Sequence, residues 1–467
     1  MVTLPRLVIA APASGHGKTT VATGLMAALR QRGLTVSGHK VGPDYIDPSY
    51  HALATGRPGR NLDPYLQGEE RVVPLLLHGA HAGRQAEVAV VEGVMGLFDG
   101  ALGSEGYAST AHVARLIDAP VVLVIDASAA GRSAAAMVHG FATYDPRVRL
   151  AGVILNKLGS PRHETELRDA IEPLGVPVLG ALHREDGIHA PSRHLGLVPV
   201  GERESEASAV LGRLRDWVAH GMDLDAVMRV AYQAPGVHGR PWDPAEQLEP
   251  VGNTGGVAGQ NGVTVAAAAG QAFTFRYAEN MELLRAAGVE VVDVDPLADQ
   301  SLPPGCAGLY FGGGFPEVHV EALASNAALR AEIAAAVGRG VPVVAECAGL
   351  TYLCRELDGE PMTGVLDATA TMTGRRTLGY RAATVASESF LAPAGARVTG
   401  HEFHRTQVTP RHGQRPAWRW QDSEEGFVTP TVHASYLHVH WAGHPALAYR
   451  FAAAAHARTL WLVSDHG

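Results

Sequence analysis

A glycine-rich segment near the start of the sequence has the residue types that bind a nucleotide phosphate. Five residues carry the pattern: Gly15, Gly17, Lys18, Thr19 and Thr20. Between a strand and a helix, backbone N–H groups surround phosphate oxygens, the lysine reaches the β- and γ-phosphates, and the first threonine holds Mg²⁺. We therefore predict an ATP·Mg²⁺ site, although Pro12 stands where the usual loop has a further glycine. The apolar run before the segment and the amphipathic pattern after it disfavour a chance match.

Acidic residues follow the next two apolar runs. Lys40 is followed by Asp44 and Asp47, and Glu92 is followed by Asp99. Open α/β sheets bind ligands at the carboxyl ends of their strands, and P-loop enzymes place a magnesium-organising acid there. We predict that these acids bind Mg²⁺ or position a substrate. A proline-flanked turn with solvated aspartates, and a helix-capping role for Glu92, are the structural alternatives.

Asn156 ends a later apolar run and is followed by Lys157. An amide at the end of a strand can read the adenine edge, because it offers both a donor and an acceptor. The dipeptide adds Asn156 to the predicted nucleotide site.

A cysteine stands where an apolar strand is followed by small residues that open a helix. Cys347, followed by Ala348, has the arrangement of a nucleophile elbow, and the helix N-terminus is predicted to lower the pKa of the thiol. A thiolate nucleophile also needs a base and oxyanion donors. Gly313, within a glycine triplet, is predicted to help form the oxyanion hole. His438 and His440 lie on one predicted strand, and either is a candidate base.

Two series of short strands and helices surround these residues. The first predicts a mostly parallel sheet with helices on both faces, because its apolar runs are continuous. Its predicted strands cover 6–11, 36–41, 87–91, 120–125, 150–155 and 177–182, and Gly33 is predicted to end the first helix. The predicted interdomain boundary falls within 233–262, where Pro, Gly and Asn are dense and no periodicity is visible.

The second series also predicts an α/β domain. Its predicted strands cover 263–267, 289–294, 309–311 and 341–345, and its predicted helices cover 279–287 and 318–337. From about Thr363 the chain is richer in Thr and Val, and we expect less regular β-structure there.

Composition limits the kind of protein this can be. The 467 residues are 46% apolar and 18% charged, which predicts a globular chain of two or three domains rather than a disordered one. A net charge of −9 argues against a general affinity for nucleic acid or an anionic membrane. There are three cysteines and no apolar run long enough to span a bilayer. We expect a soluble protein in a reducing cytoplasm.

Taken together, the motifs resemble those of the glutamine-dependent cobyrinic acid or hydrogenobyrinic acid a,c-diamide synthases of cobalamin biosynthesis. Seven segments carry the resemblance in order: Gly-His-Gly-Lys-Thr-Thr at 15–20, Lys-Val-Gly-Pro-Asp-Tyr-Ile-Asp-Pro at 40–48, Val-Glu-Gly-Val-Met-Gly-Leu-Phe-Asp-Gly at 91–100, Pro-Ser-Arg-His-Leu-Gly-Leu-Val-Pro at 191–199, Gly-Gly-Gly-Phe-Pro-Glu at 312–317, Glu-Cys-Ala-Gly-Leu at 346–350 and Ala-Ser-Tyr-Leu-His at 434–438. The resemblance therefore covers nearly the whole chain.

The resemblance implies a fold and a partition of the chain. Residues 1–235 would form a P-loop synthetase domain related to dethiobiotin synthetase, 236–262 a linker, and 263–467 a class I glutamine amidotransferase domain. The partners implied are ATP, L-glutamine and a tetrapyrrole polycarboxylate, with Mg²⁺ as cofactor and neither nucleic acid nor membrane. A homodimer is left open.

The resemblance also implies roles for individual residues. In the amidotransferase domain, Cys347 would attack the glutamine amide, His438 would act as base, and N–H groups near Gly313 and of Ala348 would hold the oxyanion. The third, acidic member of the usual triad is not evident. In the synthetase domain, ATP would phosphorylate a ring carboxylate, and ammonia would displace the phosphate. Lys18 and Thr19 would hold ATP and Mg²⁺, with Asp47 and Glu92 as metal-organising acids. Nucleotide and carboxylate would meet at four residues: Asp44, Tyr45, Ile46 and Asp99.

Two other functions remain as alternatives. The same architecture could amidate a nickel-sirohydrochlorin. A protein of a different class, a P-loop ATPase switch with a degenerate amidotransferase module, is disfavoured by the intact Cys347 elbow and the acids at 44–47 and 92–99. The sequence does not distinguish a cobalt-containing substrate from a cobalt-free one.

Overall fold

The computed structural model describes residues 1–185, 192–193, 196–197, 200–202, 204–248, 262–421 and 423–464. The chain divides into two compact units, Met1–Trp242 and Asp243–Gly467. This division falls inside the predicted boundary region 233–262, of which 249–261 lies outside the described residues. Most of the motif at 191–199 lies outside them as well. The domain limits 1–235 and 263–467 stay predictions.

The first unit is built on a parallel sheet. Its strands are β1 Arg6–Ala10, β2 Val36–Val41, β3 Arg60–Leu62, β4 Val88–Glu92, β5 Val121–Asp126, β6 Leu150–Leu158 and β7 Val178–His183, and a separate short pair is β8 Ser192–Arg193 with β9 Gly196–Leu197. Its helices are α1 Lys18–Gln31, α2 Ile46–Thr55, α3 Pro64–Gln67, α4 Glu69–His81, α5 Thr110–Leu116, α6 Ser133–Thr143, α7 Pro161–Ile171, α8 Glu204–Gly221 and α9 Leu224–Tyr232.

The strand order of this sheet is β3-β2-β4-β1-β5-β6-β7. Strand β1 pairs in parallel with both β4 and β5, and all its residues are buried. Helices on both faces explain the continuous apolar runs, since each fully buried Leu, Ile or Val contributes about 1.5–3 kcal/mol. The six strands predicted from these runs are confirmed, as is the end of α1 before Gly33, which has a φ of 89°. The three-residue strand β3 was not predicted, because it is too short to show a pattern.

The second unit combines two sheets. Its strands are β10 Val263–Ala268, β11 Val289–Val294, β12 Cys306–Phe311, β13 Val343–Glu346, β14 Glu356–Leu357, β15 Glu360–Pro361, β16 Thr369–Val385, β17 Arg397–Thr409, β18 Trp418–Trp420, β19 Ser423–Glu425, β20 Phe427–Val428, β21 Val432–Ser435 and β22 His438–Val439. Its helices are α10 Pro244–Leu248, α11 Ala278–Ala286, α12 Val320–Ser325, α13 Ala327–Gly338, α14 Ala348–Leu353 and α15 Ala446–Ser464.

One sheet has the order β11-β10-β12-β13-β21-β20 and is parallel except for the pair of β20 and β21. The other contains β15-β14-β16-β17-β22, in which β16 and β17 form a long antiparallel hairpin. The β-structure expected after Thr363 is confirmed. No helix in the described part of the chain is long and apolar enough to cross a membrane.

Two predictions about this unit are wrong. The helix predicted over 318–337 is two helices, because the chain breaks at Asn326, whose side chain accepts a hydrogen bond from the N–H of Leu329 at the start of α13. The single strand predicted around His438 and His440 is also wrong. Strand β21 ends at Ser435 in one sheet, and β22 joins the other sheet at His438, leaving His440 beyond its end.

Candidate active sites

The glycine-rich segment lies between β1 and α1, as predicted, with the lysine at its centre turned back over the loop. Gly17 has a φ of 93°, which favours glycine. The Lys18 ammonium donates to the carbonyls of Met95 (2.5 Å) and Ala13 (3.2 Å). Burial lowers the pKa of Lys18 to about 8, and the nearby charge of Lys40 lowers it further, against opposing acids. An anionic phosphate here would favour the charged ammonium.

The loop is anchored by residues at the ends of β5 and β6. The amide of Asn156 donates to the carbonyl of His16 (2.9 Å), and the N–H of Asp126 donates to Nδ1 of His16 (2.9 Å). A Cβ on Gly17 would lie 2.3 Å from the Asn156 amide nitrogen, so only glycine fits there. Lys157 donates to the carbonyl of Gly15 and pairs with Asp126 at 2.6 Å.

Asn156 therefore reaches the predicted nucleotide site, where it holds the phosphate loop. Its side-chain oxygen accepts from the N–H of Lys157. That it reads adenine stays a prediction. No role was predicted for His16, Asp126 or Lys157, although one signal was available. The chain has only three lysines, Lys18, Lys40 and Lys157, and all three contact this site or its loop.

Two predicted acids and a predicted hydroxyl converge beside the loop. The Thr19 hydroxyl donates to Glu92 (2.6 Å) and Asp47 (3.2 Å). The Lys40 ammonium lies 2.9 Å from Glu92 and 2.7 Å from Asp47. Hard oxygen donors of this kind suit Mg²⁺, which keeps several waters and takes only one or two carboxylates together with phosphate oxygens. In the described part of the chain, no group of three or more His, Cys, Asp or Glu side chains could hold a metal ion. The residues that suit Mg²⁺ are therefore the two carboxylates and the Thr19 hydroxyl.

The electrostatics of the cluster also suit a cation. Burial raises the pKa of Asp47 well above its ordinary value, and the neighbouring Asp44 and Glu92 charges raise it further. For Glu92, burial is outweighed by Lys40, His51 and Thr19, which hold its pKa well below the ordinary value. Nε2 of His51 lies 2.6 Å from Glu92, and both side chains are fully buried. His51 was not predicted, since a lone histidine in a helix carries no pattern.

The other predicted substrate residues lie near this cluster but make local contacts. The carboxylate of Asp44 accepts from the N–H groups of Ile46 and Asp47 in the first turn of α2. The carboxylate of Asp99 accepts from the N–H of Gly96 at 2.9 Å. Tyr45 and Ile46 are buried. The alternative of a turn with solvated aspartates is wrong for Asp47, which is enclosed in the cluster.

Cys347 has the strained backbone of a nucleophile elbow. It lies between β13 and α14 with φ 52° and ψ −100°, a conformation that side-chain-bearing residues rarely adopt. Its N–H donates to the carbonyl of Ser435 at 2.8 Å. A Cβ on Gly349 would lie 2.5 Å from the carbonyl oxygen of Phe311, so the turn needs small residues. The predicted strand–turn–helix geometry is therefore present, and the role of Cys347 as nucleophile stays a prediction.

Two expectations about the surroundings of this thiol are corrected. Burial raises the pKa of Cys347 well above its ordinary value, and Glu317 raises it further, so the helix terminus does not produce a thiolate here. The N–H of Gly313 donates to the carbonyl of Phe275 at 3.0 Å and is not available as an oxyanion donor. The backbone groups of Ala348 and Gly314 instead lower the pKa of Cys347, against the effect of burial, and the thiol donates to the carbonyl of Phe403 at 3.7 Å.

The two candidate bases occupy different surroundings. His438 lies against Gly313, and burial holds its pKa well below the ordinary value, with smaller contributions from His401 and His404. His440 lies 3.6 Å from the carboxylate of Glu279, and its ring packs on Tyr277 with a centroid distance of 4.2 Å. A neutral imidazole at His438 is in the protonation state that a general base requires.

The fold and these two sites define a class: a P-loop nucleotide-binding unit joined to a glutamine amidotransferase unit. Two family models match the chain accordingly. A CobQ/CobB/MinD/ParA nucleotide binding domain matches residues 7–198, and a CobB/CobQ-like glutamine amidotransferase domain matches residues 264–446.

Curated relatives match almost end to end. Hydrogenobyrinate a,c-diamide synthase of Thermobifida fusca is 58% identical, with 97% of each chain covered. The enzyme of the same name from Streptomyces coelicolor is 56% identical, covering 96% of this chain and 97% of the relative. Cobyrinate a,c-diamide synthase of a Synechococcus strain is 42% identical, covering 95% of this chain and 97% of the relative. The chain belongs to the a,c-diamide synthase family, which confirms the resemblance inferred from its motifs.

Proposed function

We propose that this enzyme uses ATP and glutamine to amidate the c and a acetate side chains of hydrogenobyrinate or cobyrinate, in the biosynthesis of cobalamin. The observation that carries the proposal is the 58% and 56% identity, over nearly whole chains, to enzymes named for hydrogenobyrinate. The relative named for cobyrinate has a lower sequence identity to this chain, 42%. We therefore favour the cobalt-free macrocycle as substrate.

In the amidotransferase unit, Cys347 is the proposed nucleophile and His438 the proposed base. His438 takes the thiol proton as the sulfur attacks the side-chain amide of glutamine. The N–H groups of Gly314 and Ala348 stabilise the oxyanion, and ammonia leaves with the proton that His438 returns. Water then hydrolyses the thioester to glutamate. Because burial raises the pKa of Cys347, a neutral base close to the sulfur is necessary for this step.

In the synthetase unit, the proposed chemistry overcomes the poor reactivity of a carboxylate. A substrate carboxylate attacks the γ-phosphorus of ATP, ADP leaves, and ammonia displaces phosphate from the acyl phosphate to form the amide. Lys18 and the loop N–H groups bind the transferred phosphate. Thr19, Asp47 and Glu92 would hold Mg²⁺, which when bound neutralises phosphate charge. Lys40 holds the two carboxylates in place.

The substrate residues and the location complete the proposal. Asp44, Tyr45, Ile46 and Asp99 border the cluster, where nucleotide and macrocycle carboxylate would meet. The three cysteines are free thiols, which supports a reducing cytoplasm as the place of the reaction. A homodimer remains a hypothesis that light scattering of the purified protein tests.

The direct experiment incubates purified enzyme with ATP, Mg²⁺ and glutamine, together with hydrogenobyrinate, cobyrinate or nickel-sirohydrochlorin in separate reactions. We expect ADP, glutamate and an a,c-diamide, with hydrogenobyrinate converted at the highest kcat/KM. Mass spectrometry identifies the product and its metal content. Conversion of the nickel macrocycle alone would support that alternative. ATP hydrolysis without any amide product would favour the ATPase switch and refute the proposal.

A further inference from the structure

The segment that carries His438 crosses between the two sheets of the second unit and is held there by buried side chains. On its N-terminal side, the carboxylate of Glu425 accepts from the N–H of Tyr436 (2.7 Å) and the hydroxyl of Ser435 (2.8 Å). On its C-terminal side, the amide of Asn280 accepts from the N–H of Trp441 at 2.8 Å. Only two residues, His438 and Val439, belong to a strand here. The position of His438 therefore depends on these side-chain contacts as well as on the short pairing of β22 with β17.

One of the contacts comes from the residue next to the nucleophile. The carboxyl of Glu346 accepts a hydrogen bond from the N–H of Val439 at 3.3 Å and another from the hydroxyl of Tyr310 at 3.2 Å. Glu346 is buried, and in the chain it directly precedes Cys347. Val439 directly follows His438. A single side chain thus connects the backbone on one side of the nucleophile to the backbone on one side of the base.

We propose that Glu346 is a positioning residue for glutamine hydrolysis, which sets the place of His438 relative to Cys347 through the N–H of Val439. The inference rests on the proposed roles of Cys347 and His438. Its physical basis is the steep dependence of proton transfer on geometry, since a misplacement of about 1 Å can cost about 100-fold in rate. Glu346 itself exchanges no proton with the substrate in this role.

The state of the carboxyl makes a clean substitution available. Burial raises the pKa of Glu346 to about 8, against hydrogen bonds from Val439 and Tyr310 that lower it. At neutral pH the group is therefore largely protonated, and glutamine is its neutral mimic with an acceptor oxygen at the same reach. Leucine has similar bulk but cannot accept a hydrogen bond, so it leaves the N–H of Val439 unpaired.

The test compares Glu346→Gln, Glu346→Leu and Tyr310→Phe in glutamine-dependent and ammonia-dependent synthesis. We expect Glu346→Leu to lose about 100-fold in kcat with glutamine, while KM for glutamine and the rate with ammonia stay within a few-fold of wild type. Glu346→Gln should restore most of kcat. Tyr310→Phe keeps the Val439 bond and is the matched control, so it should stay near wild type.

Other outcomes overturn the inference. Glu346→Leu with wild-type kcat, or a Glu346→Gln variant as impaired as Glu346→Leu, would show that the acceptor oxygen does not position the base. If Glu346→Leu fails to fold, Glu346→Asp replaces it, since the shorter side chain withdraws the acceptor and should fall at least about tenfold below Glu346→Gln. Equal rates for the two would refute the inference. A wild-type enzyme that cannot use glutamine would refute the proposed function as well.

Discussion

His438 packs against Gly313 so closely that a methyl group on the glycine would lie 2.4 Å from Cε1 of the imidazole. The same methyl group would lie 3.1 Å from Cβ of Phe275. Neither neighbour can easily move, because both are buried. Residue 313 therefore contributes to the site by having no side chain, rather than through its N–H, which Phe275 occupies.

Substitution of Gly313 by alanine should displace the proposed base. We expect Gly313→Ala to lower kcat with glutamine by about 100-fold and to leave ammonia-dependent synthesis near wild type. Gly338→Ala is the control, because a Cβ there meets no heavy atom within 4 Å. Steady-state rates with each nitrogen donor measure the effect. Unchanged glutamine turnover in Gly313→Ala would show that the ring of His438 need not stay where it is.

Removal of the proposed nucleophile should separate the two half-reactions. Cys347→Ala deletes a sulfur that the proposed mechanism uses only to release ammonia from glutamine. We expect no measurable glutaminase activity and full synthesis when ammonium salt is supplied at high pH. The measurement is amide product formed with each donor. If ammonia does not restore synthesis, the role of Cys347 extends beyond glutamine hydrolysis.

Lys40 should be essential to the synthetase unit for both stability and activity. Its side chain is 4% exposed and lies between Asp47 and Glu92, so Lys40→Met removes the buried ammonium that pairs with both carboxylates. We expect a loss of about 3–5 kcal/mol in the free energy of unfolding of this unit. Synthesis with either nitrogen donor should be abolished.

A matched control for Lys40 exists in the same site. Lys157→Met removes a lysine whose side chain is 40% exposed and pairs with Asp126. That change should cost less than about 1 kcal/mol. Chemical denaturation of both variants gives the comparison. Equal losses of unfolding free energy in the two variants would mean that burial does not determine how much the Lys40 ion pairs contribute to stability.

The sequence was sufficient for features that depend on neighbouring residues. The strands of the first sheet are continuous apolar runs because helices cover both of its faces. Cys347 could be found because an elbow needs a strand, a nucleophile and small residues in immediate succession. The same holds for Lys18 and Thr19, whose positions follow from the turn between β1 and α1.

Features formed by distant residues could not be read in this way. The pairing of His51 with Glu92, and that of Glu346 with Val439, join residues far apart in the chain whose types are common in other settings. The expectation for Gly313 failed for a related reason, because the partner of its N–H is Phe275. A local motif identifies a candidate residue, but it does not show whether the N–H of that residue already has a hydrogen-bond partner elsewhere in the chain.

Buried histidines should make the second unit sensitive to acid. Burial lowers the pKa of His433 from 6.5 to about 3, and its ring packs edge-on against Trp418. Between pH 6.5 and pH 3, the unfolded chain binds a proton at this residue that the folded chain does not. The contribution of neutral His433 to the free energy of unfolding is therefore present above pH 6.5 and is lost as the pH drops toward 3. From pH 7 to pH 5, this residue alone should cost about 2 kcal/mol. His433→Phe should reduce the loss by that amount. Ser389→Ala removes the hydrogen-bond partner of the His433 ring, together with an acceptor for the N–H groups of Leu391 and Ala392, and should keep the pH-dependent loss. Urea denaturation at the two pH values measures the difference, and an unchanged loss in His433→Phe would assign the acid sensitivity to other groups.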